Sequence, residues 1–233
     1  MTKNQQVLAK MGGGSLALLL SLSLGQQASA ATLVENLPPT TSTHFEPSVK
    51  VDQWVGSSFT TGNASYGYTL NSVTLWFREF TAGTNLLVSL YSDNAGAIDS
   101  QITGFTNPGS ITPSLANNTF TLTTPETLDA NTTYWLVAGI SLGGSGEYRW
   151  GGTTSADQNS SFGWSIGDSS VVSTNGGGSW SNISDPPFKA FQFSVDGTVK
   201  TSPPIPEPGS VVALLGLGGL GLASGLKKLF TRA

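Results

Sequence analysis

The sequence predicts an all-β domain, an antiparallel β-sandwich of jelly-roll character, set between an N-terminal signal peptide and a single C-terminal hydrophobic helix. Three observations carry that expectation. Between Val51 and Val199, apolar residues come in short runs separated by Gly, Asn, Asp and Ser, the punctuation of strands and turns. No stretch before residue 209, outside the first thirty residues, repeats its apolar residues at helical spacing. Charged residues make up only 10% of the 233 residues while 29 are Gly, a balance that suits a polar β surface better than a helical enzyme.

The elements follow in order. Lys3 and Lys10 precede an apolar stretch from Met11 to Leu24, and Ala28-Ser29-Ala30 supplies the small-x-small pattern cut by signal peptidase. Residues 1–30 are therefore expected to be a cleaved signal peptide, and 31–50, with Pro38-Pro39 and no clear period, a lead-in. The sandwich is expected over 51–200. Its clearest strand is Tyr68 to Phe80, where Val73, Leu75 and Phe77 alternate and share a core face. Leu86 to Tyr91 follows, ending in a turn at Ser92-Asp93-Asn94-Ala95-Gly96. In Thr133 to Ile140 both alternating sets are apolar, so this strand is expected to be central and buried on both faces. Residues 151–184 are rich in Gly, Ser and Asn and are expected to form a long loop. Phe191, Phe193 and Val195 share a face in a last strand that ends at the Asp196-Gly197 turn signal.

Charge narrows the function classes. Without residues 1–30 the chain has 8 basic and 14 acidic side chains, a net charge of −6. Nucleic acid needs clustered Lys and Arg, so no nucleic-acid partner is expected. The chain has no cysteine, so an exported domain of this size must rest on its core rather than on disulfides.

Residues 201–209 form a Pro-rich linker, and 210–233 hold an apolar run closed by a basic tail. The sixteen residues Val211 to Leu226 would make a helix about 24 Å long. A hydrocarbon core is about 30 Å thick. Residues 210–226 with snorkelling lysines approach that span, and positive charge after the helix fits the cytoplasmic side.

The order Pro206-Glu207-Pro208, then the hydrophobic run, then Lys227, Lys228 and Arg232, resembles the PEP-CTERM sorting domain of bacterial exported proteins. The resemblance covers about thirty residues, and the basic cluster departs from it mildly, being interrupted by Leu229-Phe230-Thr231. It implies recognition and processing by an exosortase-type transpeptidase, with at least transient anchoring in the inner membrane and delivery to the cell envelope or an extracellular matrix. More loosely, Trp54-Val55-Gly56 with Phe59, the Leu70-to-Phe77 strand, Leu90-Tyr91-Ser92 and the stretch from Leu128 to Trp135 resemble choice-of-anchor domains, which implies a β-sandwich without assigned chemistry.

Catalytic groups are sparse. His44 is the sole histidine, and no zinc set or nucleophile signature accompanies it. Asp93, Asp99, Asp157, Asp168 and Asp185 sit in turns or loops and read more readily as turn formers than as calcium ligands; no metal and no cofactor is expected. Glu79 and Glu126 would form a glycosidase pair only if the fold set them at the required separation. Trp54, Trp76 and Trp135 fall in strands and read as core, whereas Trp150, Trp164 and Trp180 fall near the glycine-rich region and are the candidates for stacking on sugar rings. The expectation is an exported, non-enzymatic surface or matrix protein sorted through its tail. The alternative is a carbohydrate-binding module associated with exopolysaccharide.

Overall fold

The computed structural model describes residues 30–37, 45–183 and 188–202. The strands are β1 (Ala31–Glu35), β2 (Ser48–Val49), β3 (Trp54–Thr60), β4 (Tyr68–Asn94), β5 (Ala97–Gly104), β6 (Ala116–Leu128), β7 (Thr133–Trp150), β8 (Gly152–Thr153), β9 (Asn159–Ser160), β10 (Ser165–Ser173), β11 (Ser181–Asn182), β12 (Ala190–Phe191) and β13 (Phe193–Val199). Among the described residues there is no helix.

One antiparallel sheet runs in the order β11-β10-β3-β7-β4-β13-β1-β9, with β2 beside β7 and with β5 and β6 beside β4; β8 and β12 form a separate ladder. The 27-residue β4 organises it. Its first part, from Tyr68 to Phe77, lies between β6 and β13, and its later part, from Leu86 to Ser92, lies between β7 and β5. Between these parts the register against β7 shifts three times, from Glu79 to Leu86. Such bulges bend a strand and increase its twist. The sheet thus curls until its halves face each other: the rings of Phe59 on β3 and Phe193 on β13 lie 6.3 Å apart.

The core follows from alternation. Val73, Leu75 and Phe77 are fully buried, as are Phe191, Phe193 and Val195. On β7, Tyr134, Leu136 and Ala138 join the main core, while Trp135 and Val137 are buried on the other face under Trp54, Tyr91, Ile98 and Trp180. The strand expected to be buried on both sides is so. Trp54 and Trp76, expected in the core, are only half-buried and lie outside it; of the three strand tryptophans Trp135 alone is buried, on that second face.

Three expectations change. The lead-in contributes strands: β1 pairs with β13 and β9, because Leu33 and Val34 are both buried there. The glycine-rich 151–184 is not simply a loop, for β10 pairs along β3. Its apolar period is diluted by Ser170 and Ser173, which are buried yet hydrogen-bonded, Ser170 to Ser57 and Ser173 to Asn175. Nor does the last strand turn at Asp196-Gly197; it continues to Val199 with a register shift at that pair. A Cβ at Gly197 would lie 2.2 Å from the Thr69 carbonyl oxygen, so glycine here admits a close backbone approach. Ala28, His44, Asp185, Pro206, Glu207, Pro208, the apolar run 210–226 and Lys227, Lys228 and Arg232 lie outside the described residues; Ala30 is described and exposed.

Candidate functional site

The structure separates the three tryptophans singled out for sugar binding. Trp150 closes β7 on the inner face and is fully buried. Its ring stacks on Phe191 with centroids 4.7 Å apart, and its Nε1 donates to the Gln192 carbonyl at 2.9 Å. Trp164 is 2% exposed, stacked on Phe59 and met edge-on by Tyr68. Trp180 is half-buried in the other cluster, with Trp54 and Trp135. Trp150 and Trp164 thus offer no ring face to a ligand, because aromatic area in this fold fills the gap between the sheet halves. The large apolar side chains at the described surface are instead Tyr66, Phe80, Ile102, Leu142 and Phe162. Phe80 lies under two guanidinium groups, with Arg149 4.0 Å and Arg78 5.0 Å from its ring centre.

The carboxylates are likewise dispersed. Glu79 sits at the bend of β4, where it accepts the Gly83 N–H, and Glu126 lies on β6 opposite Leu70. Leu70 and Glu79 are nine positions apart on one strand, about 30 Å at roughly 3.3 Å per residue. Glycosidase carboxyls work within about 10 Å of each other. These two do not form such a pair. Asp93 accepts the Trp135 indole N–H at 2.8 Å and the Gly96 amide at 3.0 Å, and Asp99 accepts the Ser92 hydroxyl; both serve the β4–β5 turn. Among the described residues no three His, Asp or Glu gather where a metal ion would need them.

Among the described residues, two hollows bring polar groups together. A cleft of about 400 Å³ is walled by Asn36, Asp157, Gln158, Asp168 and Lys189 over Ile166 and Ala190. Two of its lining residues are tied together, the Ile166 N–H donating to the Gln158 side-chain oxygen at 2.6 Å. Two carboxylates, two carboxamides and an ammonium on an apolar floor can hydrogen-bond a polar, polyhydroxylated ligand. A second hollow of about 380 Å³ opens at the β4 bend among Glu79, Asn85, Asn107 and Tyr148. Burial, and then the neighbouring Glu79 carboxylate, push the Tyr148 hydroxyl above its ordinary range. That phenol is held neutral, not activated as a nucleophile. Sequence reasoning missed both hollows because their walls come from segments far apart in the chain, with no motif linking them.

Beyond Val199, comparison with protein families finds one site by sequence. No curated protein matches the chain. Residues 204–228, which begin five positions after the last strand ends, match the family model described as the PEP-CTERM protein-sorting motif. The chain therefore carries a PEP-CTERM sorting motif, which marks an exported protein sorted to the cell envelope by exosortase processing.

Proposed function

We propose that this is a non-enzymatic display protein, whose β domain is carried to the cell surface or an extracellular matrix by its C-terminal motif. The single observation that carries the reading is the position of the motif. In chain order Pro206-Glu207-Pro208 follows Val199, the last residue of β13, by seven positions, so the motif comes after the strands of the domain and does not interrupt them. The dispersed carboxylates and the neutral Tyr148 support the non-enzymatic part. The apolar run 210–226 acts as a temporary inner-membrane anchor, with Lys227, Lys228 and Arg232 as its cytoplasmic stop. Signal peptidase removes residues 1–30 after Ala28-Ser29-Ala30.

The test is an epitope tag inserted before Thr201, with the tagged protein followed in cells that have and lack the exosortase. The expected result is a surface or matrix location with the enzyme and retention in the inner membrane without it. The same location in both strains contradicts the reading.

The cleft lined by Asp157, Asp168 and Lys189 favours a second reading, a carbohydrate-binding module associated with exopolysaccharide after sorting. Retention of the full chain on matrix polysaccharide, abolished by free sugar, supports it; passage without retention contradicts it.

A further inference from the structure

Phe162 is held in a backbone conformation, and at a place, that a phenylalanine disfavours. Its φ is +52° and that of Gly163 is +78°, and the Trp164 N–H closes the turn on the Ser161 carbonyl at 3.0 Å. Two central residues with positive φ are the geometry of a type I′ turn, where Asn, Asp or Gly normally stand. A bulky residue there is a true outlier. Burial does not offset the strain, since Phe162 is 62% exposed.

The surroundings keep the turn in place. The Asn63 N–H donates to the Phe162 carbonyl at 3.3 Å. At Gly62 a Cβ would sit 1.9 Å from the same oxygen, so only glycine permits the approach. The Asn131 N–H donates to the Gly62 carbonyl at 2.8 Å, and the Gly67 N–H to the Ala64 carbonyl at 2.8 Å. That last bond forms a turn with Tyr66, 55% exposed, at its tip. Three loops are thus laced by main-chain hydrogen bonds and present two rings. The exposed side chains of Asn63, Ser65 and Asn131 lie on the same loops, and among the described residues Asn63 and Asn131 make hydrogen bonds through their main chain alone. Scattered exposed apolar residues are ordinary. A strained one on a rigid support points to function.

We propose that Phe162 and Tyr66 form a stacking platform for a neutral glycan, with Asn63, Ser65 and Asn131 bonding its hydroxyls. A pyranose offers a face of C–H groups to an aromatic ring and hydroxyls at its edge to amides. The five platform residues are themselves uncharged; Lys200, whose N–H donates to the Gly67 carbonyl at 3.0 Å, and Asp129 flank them with one charge of each sign, and residues 31–200 hold 5 basic and 13 acidic side chains, a net −8. An acidic polysaccharide is repelled by that field, which selects a neutral one. The assignment rests on the carbohydrate-binding reading and moves its aromatic component from the tryptophans to the loops.

Native electrophoresis of the full chain in mild detergent, through gels cast with hydroxyethylcellulose, dextran or alginate, tests it. Retardation is expected in a neutral glucan and not in alginate. Phe162→Ala and Tyr66→Ala should each raise the dissociation constant about tenfold. Phe162→Gly should weaken binding equally while raising the melting temperature, because it removes the strain along with the ring. Unchanged retardation of the Phe162→Ala/Tyr66→Ala double variant overturns the platform and leaves the carbohydrate reading standing. No retardation of the wild type in either neutral gel overturns both. Stronger retardation in alginate overturns the neutral assignment, and dimerisation abolished by Phe162→Ala assigns the rings to a second copy instead.

Discussion

The β domain, whose last strand ends at Val199, and the segment matched at 204–228 place their informative residues in opposite ways. In the domain, the residues that look most chemical from sequence are committed to structure: Trp150 and Trp164 fill the core, Asp93 and Asp99 set a turn, and Glu79 accepts the Gly83 N–H at the β4 bend. In the tail, three residues and a run of apolar ones carry a recognisable address through their order alone. An address is read in chain order, so it survives in a linear sequence. A surface site is read in three dimensions, so it does not.

Substitutions can break or sharpen this contrast. The largest effect is expected from Trp150→Ala. The loss of a fully buried ring stacked on Phe191 should cost about 3–5 kcal/mol of stability, measured by chemical denaturation. The same measurement on Tyr66→Ala should show a change within about 0.5 kcal/mol, since an exposed ring holds nothing together.

Next comes Glu147, which accepts the Ser48 hydroxyl at 2.7 Å and pairs with Arg149 at 2.9 Å and Lys50 at 3.4 Å. Burial by itself would raise its carboxyl; the Ser48 hydrogen bond and the two cations outweigh that and hold it below the ordinary range. With a folded-state pKa below the unfolded one, the carboxylate stabilises the fold at neutral pH. That contribution is lost as pH falls through the folded value. Glu147→Gln should therefore cost about 1 kcal/mol at pH 7 and nothing once the pH is well below the folded-state value. An equal difference at both pH values would show that the cluster acts through packing instead.

A smaller effect of opposite sign is expected from Phe162→Gly. Release of the left-handed phenylalanine should stabilise the domain by about 1 kcal/mol, read as a rise in melting temperature. A fall would mean that the ring packs on something and is not held out for a ligand.

How far the fold could be read from sequence depended on how cleanly apolar residues alternate. Val73, Leu75 and Phe77 announce a half-buried strand, and the doubly apolar Tyr134 to Ala138 announces a central one. β10 is hard to see in the sequence because serines occupy buried positions there, Ser170 bonded to Ser57 and Ser173 to Asn175. β13 was cut short because Asp196-Gly197 looks identical in sequence whether it turns a chain or bulges a strand. At the surface, ring type misled. Trp150 and Trp164 lie near a glycine-rich stretch yet point inward, while Phe162 and Tyr66 face solvent because turn geometry puts them there. The one available signal was Phe162-Gly163, a turn pair with a phenylalanine where a small polar residue belongs.

The tail, rather than the domain, directs where the protein goes. That claim is tested most directly by the intact mass of the chain recovered from exosortase-bearing cells, with Pro206-Glu207-Pro208 native or changed to three alanines. The account predicts a wild-type chain shortened at its C-terminus and a triple variant that keeps its full tail, with the same melting temperature for both. A triple variant processed like the wild type would contradict it.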